Sequence, residues 1–194
     1  MQKKYLTLSA LVLVTLISAC TPKAENNVEN QITISKTQGA LVTETAQPEV
    51  FRSAPPADCP VTAPQEPPFV PPPPYDRPGF EGEFWYGSNS LWTAVRQDGT
   101  WEGLPHNPGG YTQKVFWWSE GYSISAEPEP ALSLSAERLD GKAPLITGSK
   151  ATNASAEDIG AAMLAGVDLP ALGCWKITGE YGGEELSFVV WVAP

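Results

Sequence analysis

Hydrophobic and polar residues alternate with a period of two in several stretches beyond residue 80, which is the pattern of half-buried β-strands. The clearest case is residues 131–137, where Leu132, Leu134 and Ala136 share one face and polar side chains share the other. A strand of this kind buries its apolar face and leaves its polar face in water. We therefore predict a strand that packs its leucine face on a core.

The strongest pair of strand signals lies at the C-terminal end, where two strand-like runs flank Gly182-Gly183. A Gly-Gly pair between two such runs predicts a hairpin. The apolar stripes of the two runs are Trp175 with Ile177, and Phe188 with Val190 and Val192. Neighbours on a strand point to opposite faces, so Cys174 is expected at the outside or the rim of the sheet if Trp175 faces the core.

Shorter apolar and aromatic runs occupy residues 84–86, 91–95 and 115–118. The pair Asp98-Gly99 separates the run 91–95 from residues 100–101, and we expect it to form the turn of a hairpin. Many short strands separated by closely spaced turns predict an all-β domain built as an antiparallel sandwich or barrel.

Residues 157–167 are the one ambiguous stretch of this domain. Acidic residues followed by alanines are compatible with the start of a helix. The alternation of Met163, Ala165 and Val167 against their neighbours, closed by Pro170, is typical of a strand. The pattern favours a strand, and a helix stays open as the alternative.

The N-terminal residues 1–19 have the pattern of a secretory signal peptide: lysines, a short apolar run, then small residues. The apolar run is shorter than the roughly 20 residues that a membrane-spanning helix needs. Residues 16–20, Leu-Ile-Ser-Ala-Cys, resemble the lipobox of bacterial lipoproteins, whose cysteine is diacylated and becomes the mature N-terminus. We therefore predict a lipidated Cys20. The alternative is an ordinary signal peptide that contains a cysteine.

Lipidation decides the expected location. Each buried methylene of an acyl chain contributes roughly 0.8 kcal/mol, so several chains hold a protein firmly on a membrane. We expect the extracytoplasmic face of the cell membrane, or the outer membrane where the envelope has two membranes. Thr21 follows Cys20, so the aspartate that retains related lipoproteins at the inner membrane is not evident.

Residues 20–77 read as a flexible, proline-rich and disordered tether that begins with the lipidated cysteine. Twelve of the twenty prolines precede Tyr75, and the first half of the segment has few aromatic residues with which to build a core. The run of four prolines at 71–74 predicts polyproline II, either as a spacer or as a ligand for another domain. The folded unit begins near Cys59 or near Pro78, and we assign residues 78–194 to the β-sandwich.

Charge narrows the classes of partner. The chain has 22 acidic and 12 basic residues, so its formal net charge is −10. Removing the two lysines of the signal peptide changes this to 10 − 22 = −12. No cluster of lysine or arginine occurs, which excludes the electrostatic signature of a nucleic-acid binder. We expect no cofactor.

Two cysteines remain once Cys20 is lipidated, and in an exported chain Cys59 and Cys174 are expected to form a disulfide. It would close a loop of about 115 residues. The chain-entropy estimate for a loop of this size reaches about 4.7 kcal/mol, while measured gains run from about 0 to 5. The bond would clip the proline-rich arm onto the penultimate strand. Two free buried thiols are the alternative.

A series of segments resembles, in order and spacing, a group of bacterial secreted proteins and lipoproteins that have no assigned activity. The segments are Cys59-Pro60-Val61-Thr62, Trp85-Tyr86-Gly87, Leu91-Trp92-Thr93, Asp98-Gly99, Lys114-Val115-Phe116-Trp117-Trp118, Glu137-Arg138-Leu139-Asp140-Gly141, Gly173-Cys174-Trp175-Lys176-Ile177-Thr178-Gly179 and Leu186-Ser187-Phe188-Val189. The resemblance implies a β-sandwich of immunoglobulin-like type, with a strand over residues 161–168. It implies no activity.

Candidate catalytic chemistry is sparse. His106 is the only histidine and lies in a stretch with the composition of a loop, so the sequence holds neither a usual zinc site nor a histidine-based catalytic dyad. Glu81 and Glu83 would share a face on a strand, as carboxylates of a glycosidase or a calcium site do. A solvated acidic face is the alternative for this pair.

Four aromatic residues are the candidates for ligand stacking: Trp85 with Tyr86, and Trp117 with Trp118. Adjacent strand residues point oppositely, so one member of each pair should enter the core and the other should face outward. An outward aromatic ring can stack on a ligand. The alternative is that the proline-rich arm or a loop covers it.

The functional expectation is a lipid-anchored binding or accessory module at the cell surface, with an envelope protein or a glycan as the partner. A carboxylate-based envelope hydrolase and a purely structural envelope component are the alternatives. The sequence does not name the ligand or the biological process.

Overall fold

The structure, a computed structural model, describes residues 53–194, which contain eleven β-strands and no helix. The strands are β1 (Glu83–Gly87), β2 (Trp92–Arg96), β3 (Thr100–Trp101), β4 (His106–Asn107), β5 (Gly110–Trp118), β6 (Ser133–Arg138), β7 (Ile146–Thr147), β8 (Thr152–Ala156), β9 (Gly160–Leu169), β10 (Gly173–Tyr181) and β11 (Glu184–Val192). The predicted all-β class is confirmed.

Two sheets form a sandwich. The six-stranded sheet has the order β1-β2-β5-β9-β8, with β4 beside β5, and the five-stranded sheet has the order β3-β11-β10-β6-β7. Pairing is antiparallel except between β3 and β11, which run parallel over two residue pairs. The antiparallel sandwich is therefore confirmed.

The β10–β11 hairpin forms as its sequence predicts. Its ladder has nine residue pairs, and Gly182 and Gly183 form the turn with φ of 61° and 85°. Positive φ at both central residues is the requirement of a type I′ turn, which glycine meets at no steric cost. Trp175 and Ile177 are fully buried between the sheets, as the stripe on β10 predicts.

The main core lies between the two sheets and takes alternate residues from each. On β6, Leu134 and Ala136 are buried, which confirms the strand and its leucine face. The ambiguous residues 157–167 form a strand and not a helix, because β9 begins at Gly160. Met163 and Val167 enter the core, while Asp168 is exposed.

The predicted hairpin at Asp98-Gly99 is wrong. The turn exists, but β2 belongs to the six-stranded sheet, whereas β3 pairs with β11 in the other sheet. The Trp191 N–H donates to the Gly99 carbonyl at 2.8 Å, and Trp101 packs in the core. An Asp-Gly pair specifies a local turn but not the partner of the next strand, so the chain crosses here from one sheet to the other.

The arm, residues 53–78, packs along the sandwich, so the folded unit extends upstream of Pro78 to include Cys59. It begins at the five-stranded sheet, where the Thr62 N–H donates to the Val189 carbonyl at 3.0 Å. It then crosses to the outer face of the six-stranded sheet. The expected polyproline II run is wrong at its end, because the Tyr75 N–H donates to the Pro72 carbonyl at 2.9 Å and closes a turn.

The disulfide between Cys59 and Cys174 is present, as predicted. Cys174 is almost fully buried in a small cluster with Trp191 and Ala193 that is separate from the main core, so the bond clips the arm to the outside of the sheet. The signal peptide, Cys20 and residues 20–52 of the predicted tether lie outside the described residues. Within residues 53–194 we find no helix suited by length and apolarity to cross a membrane.

Candidate functional site

The four candidate stacking residues separate as strand alternation requires, but none of them is freely exposed. Trp117 is fully buried in the main core, and Tyr86 packs against it. Trp85 and Trp118 point to the outer face of the six-stranded sheet, where they are 5% and 1% exposed. The structure therefore shows the covered alternative for the outward pair.

The arm and the turn between β8 and β9 cover this outer face through specific contacts. The Trp85 indole N–H donates to the Arg77 carbonyl at 2.8 Å, and the Trp118 indole N–H donates to the Ile159 carbonyl at 2.9 Å. Tyr75 lies edge-on to Trp92, with 5.7 Å between ring centroids. Its hydroxyl donates to the Ala161 carbonyl at 2.9 Å and accepts the Ala161 N–H at 3.1 Å. The aromatic surface here supports the arm.

The six-stranded sheet is split between β2 and β5. These neighbouring strands pair at only two positions, Trp92 with Trp118 and Thr93 with Trp117, although β2 continues to Arg96 and β5 begins at Gly110. On its other side β5 pairs with β9 over seven positions. The two strands therefore separate after their first two pairs and leave a gap within the sheet.

Main-chain groups point into this gap. The Gln97 N–H donates to the Gly82 carbonyl and the Ser88 N–H donates to the Leu91 carbonyl, which fixes the alternation along β2. Residues of an antiparallel strand direct their N–H and C=O groups to alternate sides. Ala94 and Arg96 therefore direct their main-chain groups away from β1. The Arg96 carbonyl accepts the Gly99 N–H at 3.0 Å in the turn after β2, which leaves the Ala94 carbonyl and the Arg96 N–H directed towards the gap.

Two side chains satisfy part of the exposed β5 edge. Thr93, which is fully buried, donates its hydroxyl to the Phe116 carbonyl at 2.8 Å. The side-chain oxygen of Gln113 accepts the Lys114 N–H at 3.1 Å. Both bonds give a main-chain group of β5 a partner where the ladder to β2 has stopped, so they are compatible with the split. The sequence itself thus supports an interrupted ladder.

A cleft of about 470 Å³ opens at the split, and we call it the β2–β5 cleft. Its volume is within the range of roughly 300–1,000 Å³ that is usual for small-molecule sites. Its apolar lining is Phe80, Ala94, Trp101, Val115, Phe116, Trp118 and Ile159. Its charged lining is Glu81, Glu83, Arg96, Lys114 and Asp158. Ala156 and Gln113 complete it.

The two glutamates that the sequence singled out both line this cleft, but they do not share a strand face. Glu81 is exposed in the turn before β1, and Glu83 is half-buried on β1 itself. Burial raises the pKa of Glu83, and the positive charge of Arg96 partly offsets this effect. The alternation in the sequence predicted that both glutamates share one face of a strand. β1 begins only at Glu83, however, and residues 81–82 form a turn.

Arg96 is held away from Glu83 by the turn that follows β2. Its Nε and Nη2 donate to the two carboxylate oxygens of Asp98 at 3.2 and 3.0 Å. The hydrogen bond from Arg96 lowers the pKa of Asp98, so this carboxylate stays ionised. Asp98 also accepts the Thr100 N–H at 2.9 Å, which fixes its position.

The sequence predicted a loop at His106, but this residue lies in the two-residue strand β4. This strand pairs with β5 around a turn at residues 108–109. It is exposed and lies against Tyr111, with 4.6 Å between ring centroids and the ring planes tilted by 59°. No group of three or more histidine, cysteine or acidic side chains within residues 53–194 is placed to hold a metal ion.

Sequence reasoning missed Ala94, Arg96, Lys114 and Thr93 as parts of a site. The single available signal was Thr93, a hydroxyl within the apolar run 91–95. Comparison of the chain with protein-family models, curated proteins and solved structures produced no significant match.

Proposed function

We propose that this protein is a lipid-anchored, extracytoplasmic binding module whose ligand site is the β2–β5 cleft. The observation that carries the proposal is the split itself: the ladder between β2 and β5 stops after two pairs, and the gap is lined by both aromatic and charged side chains. A binding cleft of this kind combines apolar contact area with a few polar groups that orient the ligand.

The placement in the cell envelope comes from the sequence. Residues 16–20 resemble a lipobox, so Cys20 would carry the lipid that anchors the protein on the extracytoplasmic face. The Cys59–Cys174 disulfide is compatible with an oxidising compartment. A protein anchored in this way would have an envelope protein or a glycan as its partner.

The role of the cleft in binding can be tested by a substitution that fills it. Ala156 is exposed at the end of β8 and lines the cleft, so Ala156→Phe should occupy it from the rim without disturbing the core. Ala131→Phe is the matched control, because Ala131 is exposed and does not line the cleft. Both variants would be expressed as the full-length lipidated protein and crosslinked in their own membranes.

We expect the unaltered protein and Ala131→Phe to capture the same saturable partner, and Ala156→Phe to capture much less of it. Equal capture by both variants would remove the cleft from the proposed function. An absence of any saturable partner in all three proteins would favour a purely structural role in the envelope.

A carboxylate-based hydrolase is the second candidate, because Glu81 and Glu83 both line the cleft. Burial raises the pKa of Glu83, which is the direction that a general acid requires. In that case Glu83→Gln would abolish cleavage of envelope glycan fragments while their binding persisted. A binding module would show no cleavage before or after the substitution.

A further inference from the structure

Glu83 is a half-buried carboxylate that faces the β2–β5 cleft without an ion-pair partner among residues 53–194. Its cross-strand neighbour is Arg96. The two residues form a pair without mutual main-chain hydrogen bonds, in which side chains lie closest. Arg96 nevertheless donates to Asp98, so its charge compensates that of Glu83 only in part and the Glu83 carboxylate can accept a donor from the cleft.

This arrangement leaves a negative charge poorly solvated. Burial raises the pKa of Glu83, which means that the fold disfavours its ionised form. A cation that entered the cleft would stabilise the ionised form, and its charge would be recognised more strongly there than at a fully hydrated carboxylate.

Three aromatic rings lie beside this charge in a row that we call the aromatic row: Phe80, Trp118 and Phe116. Trp118 is in the middle, 6.3 Å from Phe80 and 6.0 Å from Phe116 between ring centroids, and both pairs are tilted by 32°. Trp118 is almost fully buried and supports the two outer rings, whereas Phe80 and Phe116 are half-buried and offer their surface to a ligand. Aromatic faces attract organic cations and provide apolar contact area.

The other charged side chains around the cleft leave the net charge of its lining negative. Glu81 and Asp158 add negative charge, whereas Lys114 on β5 and Arg96 on β2 add positive charge. The lining therefore has three carboxylates and two cations, and Arg96 is already paired with Asp98. The net charge of the chain, −10, also favours the approach of cations.

We propose that the β2–β5 cleft binds an organic ammonium cation with an apolar body, with the ammonium group at Glu83 and the apolar part on the aromatic row. This inference rests on the proposed function, since it names the ligand class of the same cleft. The chemistry is that of an alkylamine, whether free or as the side chain of a peptide.

The probes are three four-carbon molecules that differ in charge: butylammonium, butanol and butyrate. Each would be titrated by calorimetry into the full-length lipidated protein in detergent. We expect saturable binding of butylammonium, and at least about tenfold weaker binding of butanol and of butyrate, because only the ammonium forms a charge-assisted contact with Glu83.

Two isosteric variants test the role of Glu83. Glu83→Gln should weaken butylammonium binding by about tenfold. Asp98→Asn keeps the acceptor for the Thr100 N–H but removes the negative charge that holds Arg96. Arg96 can then pair with Glu83 and compete with the ligand. Butylammonium binding should therefore weaken by about threefold. Glu120→Gln, an exposed residue outside the cleft, should change nothing.

Equal binding of butylammonium and butanol, or an unchanged affinity in Glu83→Gln, would overturn the ammonium inference. A preference for butyrate would also overturn it and would assign the cleft to anions through Lys114. None of these results would decide the proposed function, which depends on the capture experiment with Ala156→Phe. Thermal melts of each variant establish that it is folded.

Discussion

The two sheets of this sandwich are closed to different degrees. In the five-stranded sheet, β10 and β11 pair over all nine residues, and the arm and β3 lie along the outer edge of β11. In the six-stranded sheet, β2 and β5 separate after two pairs, and Thr93 and Gln113 bond to main-chain groups of β5 at the split. The β10–β11 ladder of the five-stranded sheet is continuous, whereas the split in the six-stranded sheet opens the β2–β5 cleft.

Removing the disulfide, which lies on the five-stranded sheet, should reduce stability more than any of the substitutions below. Replacing both Cys59 and Cys174 with alanine removes the crosslink that holds the arm to the five-stranded sheet. We expect the free energy of unfolding to fall by about 2–5 kcal/mol, which a denaturant titration would measure. A double variant as stable as the unaltered protein would show that the arm needs no clip.

Gly179 should be the next most sensitive position, and it also lies on β10. A Cβ added there would be 2.6 Å from the buried ring of Trp117, so Gly179→Ala forces the packing between the sheets to shift. We expect a loss of about 1–3 kcal/mol in thermal unfolding. Gly121→Ala is the control, because a Cβ at Gly121 meets nothing within 4 Å.

Thr93 tests whether the split is built into the six-stranded sheet. Thr93→Val keeps the shape of the side chain but removes the hydroxyl that donates to the Phe116 carbonyl. We expect a loss of about 1 kcal/mol, because the Phe116 carbonyl loses the hydrogen bond from the buried hydroxyl. Gain or no change in stability would mean that water or a continued ladder satisfies that carbonyl instead.

Replacing Glu83 should change stability by a small amount and, unlike the substitutions above, should increase it. Its pKa is raised above 4.5 in the folded protein by burial, so its ionisation opposes folding. Folding stability therefore falls as the pH rises from about 4.5 through the raised pKa. Glu83→Gln should remove this loss and stabilise the protein at pH 7 by less than about 1 kcal/mol, since the carboxylate is partly exposed and screened.

Thermal melts of both proteins from pH 4 to pH 7 would measure this difference. The two melting temperatures should be closest at pH 4 and should separate as the pH rises. A larger difference at pH 4 than at pH 7 would contradict the raised pKa. The same substitution is expected to weaken ammonium binding, so stability and binding would change in opposite directions at one residue.

Strand identity was largely predictable, because it depends on local alternation. The stripes at Leu134 and Ala136 and at Trp175 and Ile177 face the core as predicted, and the Cys59–Cys174 pairing followed from the count of cysteines. These features need only the period of the side chains and the composition of the chain.

Strand pairing was not predictable in the same way. Asp98-Gly99 signals a turn, yet the strand after it pairs with β11, which is distant in the sequence. The split between β2 and β5 depends on where their ladder stops, and at that point Thr93 and Gln113 bond to main-chain groups of β5. Alternation along one strand carries no information about such a stop.

Native-state amide hydrogen exchange along β2 tests the split most directly. Thr93 and Val95 direct their N–H groups to β1, whereas Arg96 directs its N–H towards the cleft, beyond the last β2–β5 pair. The split predicts slow exchange at Thr93 and Val95 and fast exchange at Arg96. Equal protection at all three amides would show a continuous β2–β5 ladder, and there would be no cleft.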